Sequence, residues 1–79
     1  MDEAATLHVH RANCCLRQDE LSQARGDLEA ALRLKPGWLD PRFTLAVVCV
    51  REGRLDQLGV LRDELEEGGF NPDLLAGLP

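Results

Sequence analysis

Asp19-Glu-Leu-Ser-Gln-Ala24-Arg-Gly-Asp-Leu28-Glu-Ala-Ala31-Leu-Arg-Leu-Lys-Pro36 carries a helical period and a sharp end. Ala24, Leu28 and Ala31 recur four and then three residues apart, so they share one face of a helix. Two of the three are alanine, which lets a neighbouring helix come close. Asp19 is placed to act as an N-cap, with acidic Glu20 in the first turn. Arg33 and Lys35 suit the negative C-terminal end, and Pro36-Gly37 stops the helix. The stretch therefore predicts a helix over about Glu20 to Lys35 with a small-residue face, fitted to pack inside a helical hairpin. Gly26 weakens this helix by about 1 kcal/mol relative to alanine, unless it serves a close approach.

Upstream, a helix is expected from about Asp2 to Arg17, with Asp2 and Glu3 at its positive end. Leu7, Ala12, Cys14 and Cys15 are expected to face inward, and Gln18-Asp19 to form the turn. Downstream, Pro36-Gly37-Trp38-Leu39 is a connection. Asp40-Pro41 has the form of an N-cap followed by proline at the first helical position, so a helix is expected from about Pro41 to Glu52. Its middle, Leu45-Ala-Val-Val-Cys-Val50, is apolar all round. Alone it also fits a buried strand, but the proline start, the Gly53 stop and the length favour a deeply buried helix. A fourth helix is expected over about Leu55 to Glu67, with Leu58, Leu61 and Leu65 inward and Gly68-Gly69 ending it. Asn71-Pro72 then starts one or two turns, with Leu74, Leu75 and Leu78 covering part of the fourth helix.

The spacing alanine, three residues, large apolar residue, two residues, alanine, four residues, proline resembles the second helix of a tetratricopeptide repeat. That family's first-helix pattern, Trp-x2-Leu-Gly-x2-Tyr, falls on His8, Arg11, Ala12 and Cys15, of which Ala12 fits. A shift by the family's repeat length lays Ala12 on Ala46, Cys15 on Cys49, Arg17 on Arg51, Leu21 on Leu55 and Gln23 on Gln57. Phe43-x-Leu45-Ala46-x2-Cys49 carries the first-helix leucine and small residue of a second repeat. Its second helix departs from the pattern, with Leu58, Arg62 and Leu65 at the alanine, large apolar and alanine places, and Pro72 two residues late.

The resemblance implies an all-α, α-α superhelix of two antiparallel helical hairpins plus a short C-terminal helical stub. It implies one domain over 1–79, with repeat 1 at about 5–38, repeat 2 at about 39–72 and the stub at 73–79. First helices of successive repeats in this family line a concave groove that holds an extended peptide or a partner helix. Carried over, Val9, Asn13, Leu16 and Arg17 line it from the first helix. Asp40, Phe43, Val47, Val50 and Arg51 line it from the third. Members that clamp a C-terminal carboxylate use lysine and asparagine here. Asn13 matches the asparagine, whereas Val9 and Thr44 replace the other two, so the clamp is incomplete. Arg17 and Arg51 remain candidates for an acidic partner group or, more plainly, solvated charges. The apolar set Val9, Phe43, Val47 and Val50 is harder to account for without a partner.

Composition narrows the alternatives. Seventy-nine residues make at most one domain. A chain of this mass buries only about 60–65% of its unfolded surface. Apolar residues are 44% and charged residues 29%, which fits a folded globular chain. Aromatics are few, so the core must be Leu, Val and Ala. A net charge of −5 argues against nucleic acid and against anionic membrane surfaces. No apolar run is long enough to span a membrane, and the N-terminal residues lack a signal-peptide pattern, so a cytoplasmic location is expected. Three cysteines, two of them adjacent, imply no disulfide framework.

Catalytic constellations are absent from the sequence: no phosphate-binding glycine loop, no Gly-x-Ser-x-Gly, no paired nucleophile and base. His10 and Cys14 are four apart on one helix face and are both zinc-ligand types, but the paired spacings of zinc sites are missing. Cys15 and Cys49 take the place of the family's tyrosine and read as small core residues. Asp63-Glu64-x-Glu66-Glu67 reads as a solvated face. The expectation is a non-enzymatic protein–protein interaction module with no metal or cofactor. The alternative is a homo-oligomerisation module pairing through the apolar groove or an open repeat end. A zinc or thiol sensor is the third reading.

Overall fold

A computed structural model describes residues 3–77 as five helices: α1 (Glu3–Arg17), α2 (Leu21–Leu34), α3 (Leu39–Glu52), α4 (Leu55–Glu67) and α5 (Pro72–Ala76). No strand occurs among the described residues, and 45–50 is helical. Helices α1 and α2 form one antiparallel hairpin, α3 and α4 a second, and α2 packs on α3 to join them. Asp2 and Leu78, expected above at a helix start and over the fourth helix, lie outside the described residues.

The two hairpin turns repeat each other in detail. Asp19 has φ 62°, and Gly53, 34 residues later, has φ 75°. Both lie in the left-handed region, where glycine is unstrained and aspartate is among the better tolerated side chains. The Glu20 N–H donates to the Cys15 carbonyl at 2.8 Å, and the Arg54 N–H donates to the Cys49 carbonyl at 2.9 Å. This bond from beyond the helix back to its last turn satisfies carbonyls that the helix itself leaves open. Asp19 is thus not an N-cap. Its backbone closes α1, Glu20 precedes α2 with no side-chain cap, and the left-handed turn takes the Asp19 side chain out of capping position.

The start of α3 also differs from expectation. The helix begins at Leu39, behind Trp38, so Asp40 and Pro41 lie within its first turn. A proline there loses no hydrogen bond, because first-turn N–H groups have no partner inside the helix. Asp40 still sits favourably at the positive end. Asn71 does cap its helix: its side chain accepts from the Asp73 N–H at 3.0 Å, with Pro72 at the first position.

Alanine controls the packing. Ala5, Ala12, Ala24, Ala31 and Ala46 have no exposed surface, and Leu28, Val48, Cys49 and Leu65 are equally enclosed. Leu58, Leu61 and Leu65 are buried on α4 as their spacing predicts, and Leu75 of α5 is buried while Leu74 is half exposed. Leu7 and Cys14 are exposed, contrary to the inward placement expected above. The inward arc of α1 runs through Ala5, Ala12 and Cys15, and Leu7 and Cys14 lie to one side of it, where no helix packs.

A polar cluster locks the two hairpins together. The Arg25 guanidinium of α2 pairs with Glu52 of α3, donates to Gln57 Oε1 of α4 at 2.8 Å, and lies 3.7 Å from Cys49 Sγ. Burial works against the Arg25 charge, but the hydrogen bonds to Glu52 and Cys49 outweigh it and raise its pKa above the ordinary value. Farther along, Phe43 of α3 stacks on Phe70 at 5.0 Å between centroids, closing the α3–α4 hairpin at its other end. Leu39 fills the space beside Gly68, where a Cβ would lie 2.8 Å from Leu39 Cδ2.

Ala31→Leu adds bulk to a contact with no free surface. It should destabilise the fold by about 1–3 kcal/mol, measured by denaturant unfolding. An unchanged midpoint would mean that Ala31 is not at a close helix contact.

Candidate partner-binding face

The residues carried over to the groove form two matching stripes. Val9, Asn13 and Leu16 lie four and three apart on α1, and Phe43, Val47 and Val50 repeat that spacing on α3, each 34 residues later. Val9, Leu16, Phe43, Val47 and Val50 are half-buried. Asn13, Arg17, Asp40 and Arg51 are exposed. Leu16, Phe43 and Val50 also pack against the core, so each serves the fold as well as the surface.

One hydrogen bond brings the two stripes together. Arg51 Nη1 of α3 donates to the Leu16 carbonyl at the end of α1, at 3.1 Å. That carbonyl belongs to the last turn, where helix carbonyls lack internal donors. Arg51 thus links the end of α1 to α3 at the surface, and its side chain is engaged before any partner arrives. Phe43 is likewise engaged, with one ring face against Phe70. Thr44 Oγ1 donates to the Asp40 carbonyl, an in-helix bond, and offers nothing like the asparagine it replaces. The side chains left to face a partner are Val9, Val47, Asn13 and Arg17, with the edges of Leu16 and Val50.

Other polar groups are turned to structure. His8 Nδ1 lies 3.3 Å from Asp27 Oδ1, and Arg11 Nε lies 3.8 Å from Asp27 Oδ2, joining α1 to α2 around a buried carboxylate. His10 and Cys14 are both exposed, and among the described residues no three His, Cys, Asp or Glu side chains come together as a metal site. Of the acidic cluster on α4, Asp63, Glu66 and Glu67 are exposed, and Glu64 lies 4.0 Å from Arg42. No described helix is long and apolar enough to cross a membrane.

Sequence reasoning missed Arg25, Glu52 and Gln57. Their separations of 27 and 32 residues carry no local period, and only a correct α2–α3 packing would reveal them. It also missed a groove of about 600 Å³ between α4 and α5, lined by Arg62, Glu66, Phe70, Pro72 and Leu75 among others. The chain matches no family model, no curated protein and no solved structure.

The cysteines differ in chemistry. Burial pushes the Cys15 thiol above its ordinary pKa, and the Glu20 and Asp27 carboxylates push it the same way. Less thiolate and little access both slow its reaction. A thiol reagent applied to the folded protein at neutral pH should label Cys14 rapidly and Cys15 and Cys49 only on unfolding. Rapid labelling of all three, read by peptide mass, would contradict the packing described.

Proposed function

We propose that this chain is a two-repeat tetratricopeptide-like module that binds another protein through the α1–α3 face, without catalysis. The observation that carries the proposal is the pair of half-buried apolar stripes, Val9-Leu16 and Val47-Val50, drawn together by Arg51. The left-handed turns at Asp19 and Gly53, equivalent positions of the two repeats, support the repeat reading. Val47 matters most because it is half-buried yet, unlike Phe43 and Val50, is not packed against the core cluster. A segment with apolar side chains and an acidic or carboxylate end suits this face. The apolar part would lie along Val9 and Val47, and the acidic end would reach Arg17.

Burying a Val or Leu side chain contributes about 1.5–3 kcal/mol, so two or three such contacts give affinity in the micromolar range. A displayed library of peptides with free C-termini should therefore enrich apolar sequences with acidic ends. Val47→Glu should weaken that binding by at least about tenfold while leaving the helical circular dichroism intact. If the face instead pairs two copies, the same variant lowers the mass in solution and leaves peptide binding untouched. Equal peptide binding by both proteins with no change in mass, or unfolding of the variant, would remove the face from consideration.

A further inference from the structure

Asp40, Thr44, Val47 and Arg51 recur four, three and four residues apart, so they form one line down α3. The two ends of that line carry opposite charge. Asp40 lies in the first turn and Arg51 in the last. At 1.5 Å per residue they are about 16 Å apart, too far to pair with each other. Arg17 follows Leu16, whose carbonyl Arg51 reaches, so a second guanidinium belongs to the same end as Arg51. Asp40 and Arg17 are exposed, and among the described residues neither side chain has an ion-pair or hydrogen-bond partner. Between these ends Val47 is half-buried and stands outside the core cluster. The face thus offers a free carboxylate, an apolar middle and a free guanidinium, in that order.

Resting on the reading of the α1–α3 face given above, we propose that its partner is an extended internal segment of opposite polarity. A lysine or arginine of that segment meets Asp40, an apolar side chain meets Val47, and an aspartate or glutamate meets Arg17. An acidic side chain fits better than a chain terminus, because Val9 and Thr44 stand where a carboxylate clamp needs lysine and asparagine, and Thr44 Oγ1 is turned to the Asp40 carbonyl. Extended backbone sets the spacing. Side chains two apart share one side, and each residue advances about 3.3 Å. Residues four apart therefore face the same way about 13 Å apart, and a long basic side chain covers the remaining few Å to Asp40. The recognised order is basic, any, apolar, any, acidic. The apolar contact carries most of the affinity, while the two exposed ion pairs add little each and fix the direction of the segment. Reversed, the segment sets like charges together at both ends. Asp40 and Arg51 also complement the dipole of α3, but that role is blind to the sequence of a partner.

Fluorescence anisotropy with two labelled peptides, Lys-Ala-Leu-Ala-Glu and Glu-Ala-Leu-Ala-Glu, both capped at each end, tests the pairing at Asp40. The wild type should bind the lysine peptide about fivefold more tightly, and the ratio should fall toward one as salt screens the contact. Asp40→Lys should reverse the preference and Asp40→Asn should remove it, each with helical circular dichroism retained because Asp40 is exposed. Should Asp40→Lys not fold, loss of the preference in Asp40→Asn carries the same test. A purely structural Asp40 would shift both affinities alike and reverse nothing, which overturns the proposal. Binding that needs a free C-terminus overturns it as well. If the wild type does not distinguish the peptides while Val47→Glu weakens both, the Asp40 pairing is wrong and the α1–α3 reading stands. If Val47→Glu weakens neither, that reading fails and the pairing with it.

Discussion

Close approach of α2 to its neighbours on both sides is the constraint on which the remaining packing rests. Ala24 and Ala31 are fully enclosed on α2, as are Ala12 of α1 and Ala46 of α3, and Ala12, Ala24 and Ala46 share one core cluster. A methyl is the largest group such a contact admits, since interiors pack near crystal density and extra methylenes force shifts. With the axes drawn in, Leu28 reaches the centre of the core, and Arg25 reaches across to Glu52 and Gln57. The Arg25 cluster spans the same α2–α3 contact. It also fixes it, because separating α2 from α3 would leave Arg25 and Glu52 facing each other across an unfilled, poorly solvated gap. A chain of 79 residues has few other interactions in reserve.

Helix number, order and most boundaries were legible because they rest on local signals. The α4 limits agree residue for residue, and Gly53 does close α3. The misreadings are local too. Asp19 looks like a cap in sequence, yet the turn needs a left-handed residue more than α2 needs a cap, and Gly53 in the second turn shows the same demand met by glycine. Asp40-Pro41 looks like a helix start, but proline is equally at ease one or two residues inside one. Residue type alone points Leu7 and Cys14 inward, while the arc that packs is set by alanines. The candidate face was legible as two stripes of equal spacing. That Arg51 ties those stripes together, and that Phe43 is half taken by Phe70, depends on contacts between residues distant in the chain, beyond any periodic pattern.

The molecule thus divides its surface by helix face. The Arg51–Leu16 bond links the end of α1 to the α3 stripe, while Leu7 of α1 and Leu55 of α4 stay exposed on the outer sides of the two hairpins. The offset of 34 residues that relates Val9, Asn13 and Leu16 to Phe43, Val47 and Val50 also relates the turn residues Asp19 and Gly53.

Through their mutual contact, α2 and α3 join two hairpins into one cooperative unit. Native-state amide hydrogen exchange tests this most directly, because it resolves the opening of each helix. The core amides of α2 and α3 should exchange slowest and together, at the free energy of global unfolding, with α1 and α4 following them and α5 exchanging faster. If the α3–α4 hairpin stays protected while α1 and α2 exchange by a separate, easier opening, the alanine contact and the Arg25 cluster do not hold the structure together.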